Sequence, residues 1–360
     1  MTRLPAWADY GLIPVLNLGL AFAVAALVIA ALGEDPAAAL EVLVAGAFVY
    51  EGALGYTLFY TASFIFTGLA VAVAFQARLF NIGAEGQAML GGLGAAGLCL
   101  AFDAVLPALL MIPLAIAGAA AAGAAWGAVP GWLQARRGSH IVITTIMFNF
   151  LASGLVVGLL SGPLMRPGQS NAETRALAES ARIAQWHEIA PLLGLEAGRS
   201  PLNLSILLAV AACIGVWWLI WRTRWGYALR CLGLAAPAAE YAGIPVARIT
   251  VQAMAVSGAL AGLMAVNTVL GAQGKLLINF TAGFGFTGIA VALMGRGHPF
   301  GVALAALLFG ALYQGGAEFD FEFATITREM VLLVQGLIVL FTGALSQMLV
   351  PLVARALGRA

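Results

Sequence analysis

Charge is scarce in this chain. Of its 360 residues 9% are Asp, Glu, Lys or Arg and 62% are hydrophobic, whereas a soluble domain carries about a quarter charged residues. The shortage excludes an ordinary soluble domain and points to an all-α, polytopic membrane protein. Lysine occurs once, at Lys275, and the net charge is +1, so no signal for nucleic acid is present. Histidine is limited to His140, His187 and His298. Each falls in a loop or at the edge of an apolar run, and there is no HExxH motif. Cys99, Cys213 and Cys231 have no metal-ligand spacing and read as small apolar side chains. No pair of intramembrane carboxylates is present. The stretch Gly271-Ala272-Gln273-Gly274-Lys275-Leu276 lacks the four-residue gap and the Ser/Thr of a phosphate-binding loop. No catalytic residue, cofactor or metal is therefore expected. If ATP drives this protein, another chain must hydrolyse it.

What the chain has is long apolar runs. Charge-free windows cover 10–33, 52–77, 86–102, 104–135, 138–165, 200–221, 249–274, 276–295, 297–317 and 330–354. A span takes about 20 apolar residues, so the pattern predicts about ten transmembrane helices in one domain, 1–360. The first run, Gly11 to Leu32, is long enough to span, and no cleavable signal is expected. With the N-terminus inside, eleven basic residues fall inside: Arg3, Arg78, Arg136, Arg137, Arg222, Arg224, Arg230, Arg248, Arg296, Arg355 and Arg359. Six fall outside: Arg166, Arg175, Arg182, Arg199, Lys275 and Arg328. The excess predicts a multi-pass inner-membrane protein with both termini cytoplasmic.

Two loops are long. Residues 163–202 form an extracytoplasmic loop in which Trp186-His187-Glu188 suits a short interfacial helix. Residues 222–248 form a cytoplasmic loop. Within it Ala235 to Ala242 favours a short helix, with Pro237 in its first turn and Gly243 and Pro245 as stops. Such a helix between two breakers is a rigid knob for another protein to grip. Abundant small residues, including Gly91, Gly94, Gly97 and the Ala119–Ala125 run, suit close helix packing in lipid. The sextets Thr67-Gly68-Leu69-Ala70-Val71-Ala72 and Thr287-Gly288-Ile289-Ala290-Val291-Ala292 echo one another.

Polar groups interrupt the apolar pattern at one place above all. Phe80-Asn81-Ile82-Gly83-Ala84-Glu85-Gly86-Gln87 sets two amides and a carboxylate between membrane-like flanks. Hydrocarbon cannot solvate such groups, so they face protein or a watery cavity and mark a candidate site. Glu85 could also be a structural carboxylate tied to backbone amides at a helix start. Further polar residues in apolar windows are Ser139, Thr144, Thr145, Asn149, Asn267, Gln273, Asn279 and Gln314. Amides and hydroxyls along an uncharged path suit a neutral, polyhydroxylated solute. Asn81, Glu85, Gln87, Thr145 and Asn149 are the candidate path residues.

These residues resemble a family. The chain, over roughly 55–350, looks like the integral-membrane permease of an ABC importer in the class carrying branched-chain amino acids, simple sugars and nucleosides. Leu79-Phe80-Asn81-Ile82-Gly83-Ala84-Glu85-Gly86-Gln87 and Arg137-Gly138-Ser139-His140-Ile141-Val142-Ile143-Thr144-Thr145-Ile146-Met147-Phe148-Asn149 resemble its purine-nucleoside branch. Gly283 to Gly295 supports the class. The cytoplasmic loop is similar to an ABC coupling segment. It keeps Ala238, Ala239 and Gly243, but Pro237 replaces the signature Glu and no Ile-x-Leu-Pro follows. Arg230 and Gly233 also match the branch. The resemblance implies a type II-like permease fold and a second, related permease subunit forming a hetero-oligomer. It also implies cytoplasmic ABC ATPases gripping the coupling segment and an extracytoplasmic solute-binding protein. Within it, simple sugars or branched-chain amino acids are the alternative solutes.

Other classes stay open on the residues alone. An ion-coupled secondary transporter would need broken helices with ion ligands. The Asn81–Gln87 break fits superficially, but other buried acids are lacking. A membrane enzyme would need a catalytic cluster, and a scaffold subunit would leave Glu85 without a reason to be buried.

Overall fold

In a computed structural model the described residues are Pro5, 11–166, Gly168, 171–195, 198–341, 350, 351, 353 and 354. Arg3, Arg355 and Arg359, used above to orient the chain, lie outside them. The described residues form an all-helical bundle whose only bridges are two isolated ones, Glu173 with Leu277 and Gln185 with Asn203.

The helices are α1 (Ile13–Ala31), α2 (Pro36–Phe48), α3 (Ala53–Gln76), α4 (Ala84–Phe102), α5 (Ala108–Arg137) and α6 (Ile141–Leu160). After a long loop come α7 (Trp186–Ile189), α8 (Ser205–Arg222), α9 (Arg224–Leu234), α10 (Ala236–Tyr241) and α11 (Val246–Ala265, extended by wider π turns through Gln273). The chain closes with α12 (Phe284–Met294), α13 (Pro299–Ala317), α14 (Phe319–Glu322) and α15 (Glu329–Leu340). Seven of these are long and apolar enough to cross a membrane, and α2, α12 and α15 are shorter apolar helices. Charge-free windows and helices thus correspond only in part. α4 is long, but Glu85 and Gln87 in its first turn lower its hydropathy. The window 276–295 yields only an 11-residue helix. Its first half is non-helical because Ala282 (φ 46°) and Gly283 (φ 78°) are both left-handed. α2 lies outside every window, its apolar run broken by Glu41. It starts where a helix should: Asp35 accepts the Ala37 N–H at 2.9 Å and Pro36 takes the first position.

α4, α5 and α11 meet backbone to backbone. A Cβ on Gly123 would lie 2.2 Å from the Gly258 carbonyl oxygen, and one on Gly91 2.3 Å from the Gly262 Cα. Only glycine permits that approach, and in lipid it supplies the packing that water cannot drive. Gly94 joins the seam against Gly118 and Ala122, but Gly97 meets nothing within 4 Å and does not. On the other side α3 is wrapped by α12, α13 and α8, and Phe64, Phe66 and Leu69 are fully buried.

The echoed sextets lie against each other. A Cβ on Gly288 would sit 2.6 Å from the Thr67 Cβ, and one on Gly68 2.8 Å from a Val291 methyl. The Phe64 ring meets Phe284, and Gln76 Nε2 donates to the Gly297 carbonyl at 3.1 Å. α3 and α12 therefore run parallel, with the two sextets side by side.

The bundle has two distinct ends. One carries the loop between α6 and α8. There Arg175 grips Asp103 with two hydrogen bonds (2.7 and 2.9 Å), the Ala178 N–H donates to the same carboxylate, and Lys275 pairs with Glu173. The Trp186 helix expected from sequence is α7, closed by a reciprocal Gln185–Glu188 capping box. The other end carries α9 and α10. At this end α5 and α8 finish alike, with the Arg137 guanidinium 5.8 Å from the Trp132 ring and Arg222 5.4 Å from Trp217.

Candidate functional site

Asn81, Glu85, Gln87, Thr145 and Asn149 gather at the start of α4, each at most 8% exposed. The chain leaves α3 at Gln76, runs without helix through 77–83, and begins α4 deep in the bundle. Asn81 Nδ2 donates to Gln87 Oε1 (2.9 Å) and to Ser257 Oγ (2.8 Å) on α11. Its Oδ1 accepts from the Gly83 N–H (2.9 Å) and Gln87 Nε2 (3.2 Å). Ser257 Oγ passes its own proton to the Ala70 carbonyl on α3 (2.6 Å). On the α6 side, Asn149 Oδ1 accepts the Gly86 N–H and its Nδ2 donates to the Ile82 carbonyl, both at 2.9 Å. Thr145 returns its hydroxyl to the Ile141 carbonyl, and Thr144 does the same to His140, as Ser and Thr in helices tend to do.

Glu85 reaches across to a different helix. Its two carboxylate oxygens accept the N–H groups of Gly283 (3.1 Å) and Gly285 (2.7 Å) at the start of α12. These are donors that the first turn of a helix leaves without intrahelical partners. The carboxylate is therefore the cap of α12, supplied from α4, and Gly285 packs directly on the Glu85 backbone. Of the two readings the sequence left open for Glu85, this is the tie to backbone amides at a helix start. Its helix is not its own.

A second buried amide cluster lies toward the long-loop end. Asn267 Nδ2 donates to the Phe59 carbonyl (2.9 Å) and Ser63 Oγ (2.8 Å), and its Oδ1 accepts from Asn203 and Ser205. Ser257, Ser63 and Asn203 escaped the sequence reading. Serine is too common in spans to stand out, and Asn203 sits at the edge of a loop.

An aromatic group also escaped it. Tyr60 and Phe64, one turn apart on α3, meet Phe284 of α12 and Tyr313 of α13, with ring centroids 4.5–6.0 Å apart. The Arg328 guanidinium lies 4.3 Å from the Tyr313 ring centre. Beside them is a cavity of about 200 Å³ lined by Ala282, Tyr313, Arg328, Glu329, Val331 and Leu332. The i, i+4 spacing of Tyr60 and Phe64 was the available signal. At the α9 end a larger cleft of about 780 Å³ is lined by residues that include Gln76, Trp221, Met294, Arg296 and His298.

The residues resembling a coupling segment divide by contact. Gly233 is pressed on the end of α3, where a Cβ would come within 1.9 Å of the Gln76 carbonyl oxygen. Ala239 is buried, Ala238 is exposed, and Gly243 turns the chain at φ 78°. Arg230 bonds back to the Gly226 carbonyl at 3.4 Å. The expected knob is α10, and α9, which the sequence reading left as loop, forms its base. Leu234 and Tyr241 stand out from it at 76% and 97% exposure.

Residues 53–343 match the family described as branched-chain amino acid transport system / permease component. The chain is 36% identical over 335 residues to a guanosine ABC transporter permease protein of Bacillus subtilis, covering 92% of this chain and 93% of that one. It is 35% identical over 343 residues to a glucose ABC transporter permease protein of Haloferax volcanii, covering 94% and 88%. A nucleoside ABC transporter permease protein of Lactococcus lactis is 32% identical over 309 residues, covering 84% and 83%.

Proposed function

The chain belongs to the permease family of the branched-chain amino acid transport systems, and we propose that it is the membrane subunit of an ATP-driven importer whose solute is a purine nucleoside. Cytoplasmic ABC ATPases supply the energy, a second related permease completes the pore, and a solute-binding protein delivers from outside. The observation that carries the ATP-driven reading is the α9–α10 knob. It offers exposed Leu234 and Tyr241 outward and sets Gly233 on the last carbonyls of α3. A push on such a knob is delivered to α3 and, through the Gln76–Gly297 bond, to the end of α12. This end is cytoplasmic in the proposal, in keeping with its excess of Arg, and the long loop faces outside.

Asn81, Glu85, Gln87, Thr145 and Asn149 frame the path rather than touch solute, because each already has a partner inside the fold. The nucleoside assignment rests on the relatives that act on guanosine and nucleosides. Glucose is the second reading, favoured by the relative from Haloferax.

The test is uptake by vesicles holding the full complex. ATP-dependent guanosine uptake that vanishes without this chain supports the proposal. Uptake of glucose alone keeps the permease and replaces the solute. Uptake by this chain alone on an ion gradient overturns the class. Tyr241→Ala is expected to lower uptake at least fivefold while the ATPase hydrolyses ATP uncoupled from it. Unchanged coupling would remove α10 from the contact.

A further inference from the structure

We infer that the cavity beside Tyr313 is a stacking site for the solute's nucleobase, with Glu329 reading the edge of the ring. The inference deepens the proposed function and rests on it.

Three observations converge there. The first is the aromatic group itself. Phe64 and Phe284 are 0% and 3% exposed and form a fixed floor, Tyr60 and Tyr313 are half-buried, and Tyr313 lines the cavity. Rigid rings of this kind lose little entropy on binding and offer flat area to another flat ring.

The second is Arg328. Its planar guanidinium lies over the Tyr313 ring at 4.3 Å. Bases stack both on aromatic side chains and on Arg planes. A base entering the cavity lies against the Arg328–Tyr313 stack. Glu329 lines the same cavity and its carboxylate accepts from the Thr327 hydroxyl at 2.5 Å, which places a carboxylate within the cavity lining for the base edge. A guanine edge has an N1–H and an exocyclic amine side by side, two donors for two carboxylate oxygens. Adenine has no N1–H, so the pairing favours guanosine over adenosine. At about 200 Å³ the cavity is smaller than the ~300–1,000 Å³ of sites that enclose a whole drug-sized ligand. It takes the base and leaves the ribose to the rest of the path.

The third is backbone strain. Ala282 holds φ at 46° on the cavity wall, a conformation strained for a residue with a Cβ. Such outliers concentrate at ligand clamps. Ala282 and Gly283 together turn the chain so that Phe284 enters the aromatic group and Glu85 can cap α12.

The test uses the complete complex in proteoliposomes. Wild type is first assayed with radiolabelled guanosine, adenosine and glucose. Absence of guanosine uptake at this step is a failure of the nucleoside reading, and the stacking site falls with it. Given guanosine uptake, Tyr313→Leu is expected to raise its KM about tenfold or more, while Tyr313→Phe stays within about twofold. Glu329→Gln is expected to narrow the guanosine-over-adenosine preference by at least fivefold. An unchanged KM in a properly assembled Tyr313→Leu complex overturns the stacking site and leaves the nucleoside reading standing. Should that variant not assemble, 8-azidoguanosine is photolysed with the wild-type complex. Labelling of peptides holding Tyr60, Tyr313 or Arg328 is expected, and labelling confined to other peptides overturns the site.

Discussion

Two non-helical stretches enter the bundle, and they are built in opposite ways. The first, 77–83, leads to α4, and its side chains form a closed set of hydrogen bonds. Asn81 alone makes four, and none of its polar atoms is left over. The second, 274–283, leads to α12; each stretch holds one left-handed non-glycine residue, Arg78 and Ala282, but beside the second the neighbours are aromatic and a cavity adjoins it. Glu85 joins the two. The contrast teaches that polar residues buried in a membrane bundle are not by that fact a solute path. Where every donor has its acceptor they are a joint. In the proposed site the ligand instead meets the aromatic face of the cavity beside the second stretch.

The comparison can be broken most severely at Asn81. Asn81→Leu removes four hydrogen bonds, leaves the Gly83 N–H and the Gln87 amide without partners, and leaves Ser257 only its bond to the Ala70 carbonyl. Each unsatisfied buried group costs about 1–3 kcal/mol, so little folded protein is expected by size-exclusion chromatography of solubilised membranes. Yields equal to wild type would mean that the joint carries no weight.

Next in size is Glu85→Gln. One of the two α12 amides then faces an NH₂ group instead of an oxygen, at a cost of about 1–3 kcal/mol. The variant should assemble, melt at lower temperature and still transport. Loss of transport at unchanged melting temperature would give the carboxylate charge a part in the mechanism itself.

Asp103 sharpens the same point from the other end of α4. It too accepts donors from a distant segment, and its carboxylate is buried beneath the half-exposed Arg175. The Arg175 guanidinium, followed by the Ala178 N–H, holds its carboxyl below the ordinary carboxylate range. A depressed folded value means that the stabilisation is present above the unfolded pKa, near 4, and is lost as pH falls through the folded one. Proteolysis of the 171–183 segment should therefore be slow from neutral pH to below about 4. In Asp103→Asn it should be fast already at pH 7. Equal rates in the two proteins at pH 7 would refute the clasp.

The smallest effect is expected at Ala282→Gly. Glycine accepts the left-handed turn without strain, so the melting temperature should hold or rise by a few degrees. The freer turn should weaken guanosine binding about twofold to fivefold. A lower melting temperature would show that the methyl group packs for stability.

The large features were legible in the sequence because they depend on composition. Apolar runs without charge gave the long helices, and Ala-rich sequence between Pro237 and Gly243 gave α10. The Asn81–Gln87 segment could be singled out because amides and a carboxylate there have no other excuse. Its partners could not be read, since Ser257 and Gly283 lie about two hundred positions away and look ordinary. α12 was overestimated for a related reason: nothing in Ala282 itself announces a left-handed conformation, which only the surrounding fold imposes. Tyr60, Phe284, Tyr313 and Arg328 come from four segments, so their meeting is a property of packing alone.

The Trp132–Arg137 and Trp217–Arg222 pairs fix something else, the depth at which the molecule rides in the bilayer. Both close a helix with the same five-residue spacing at the same end of the bundle. Indole rings settle at headgroup level, and Arg extends past them into water. Two such anchors on separate helices hold this end at one depth and resist vertical drift. With α5 about 45 Å long at 1.5 Å per residue against about 30 Å of hydrocarbon, the surplus length must be taken up by tilt or at the opposite leaflet.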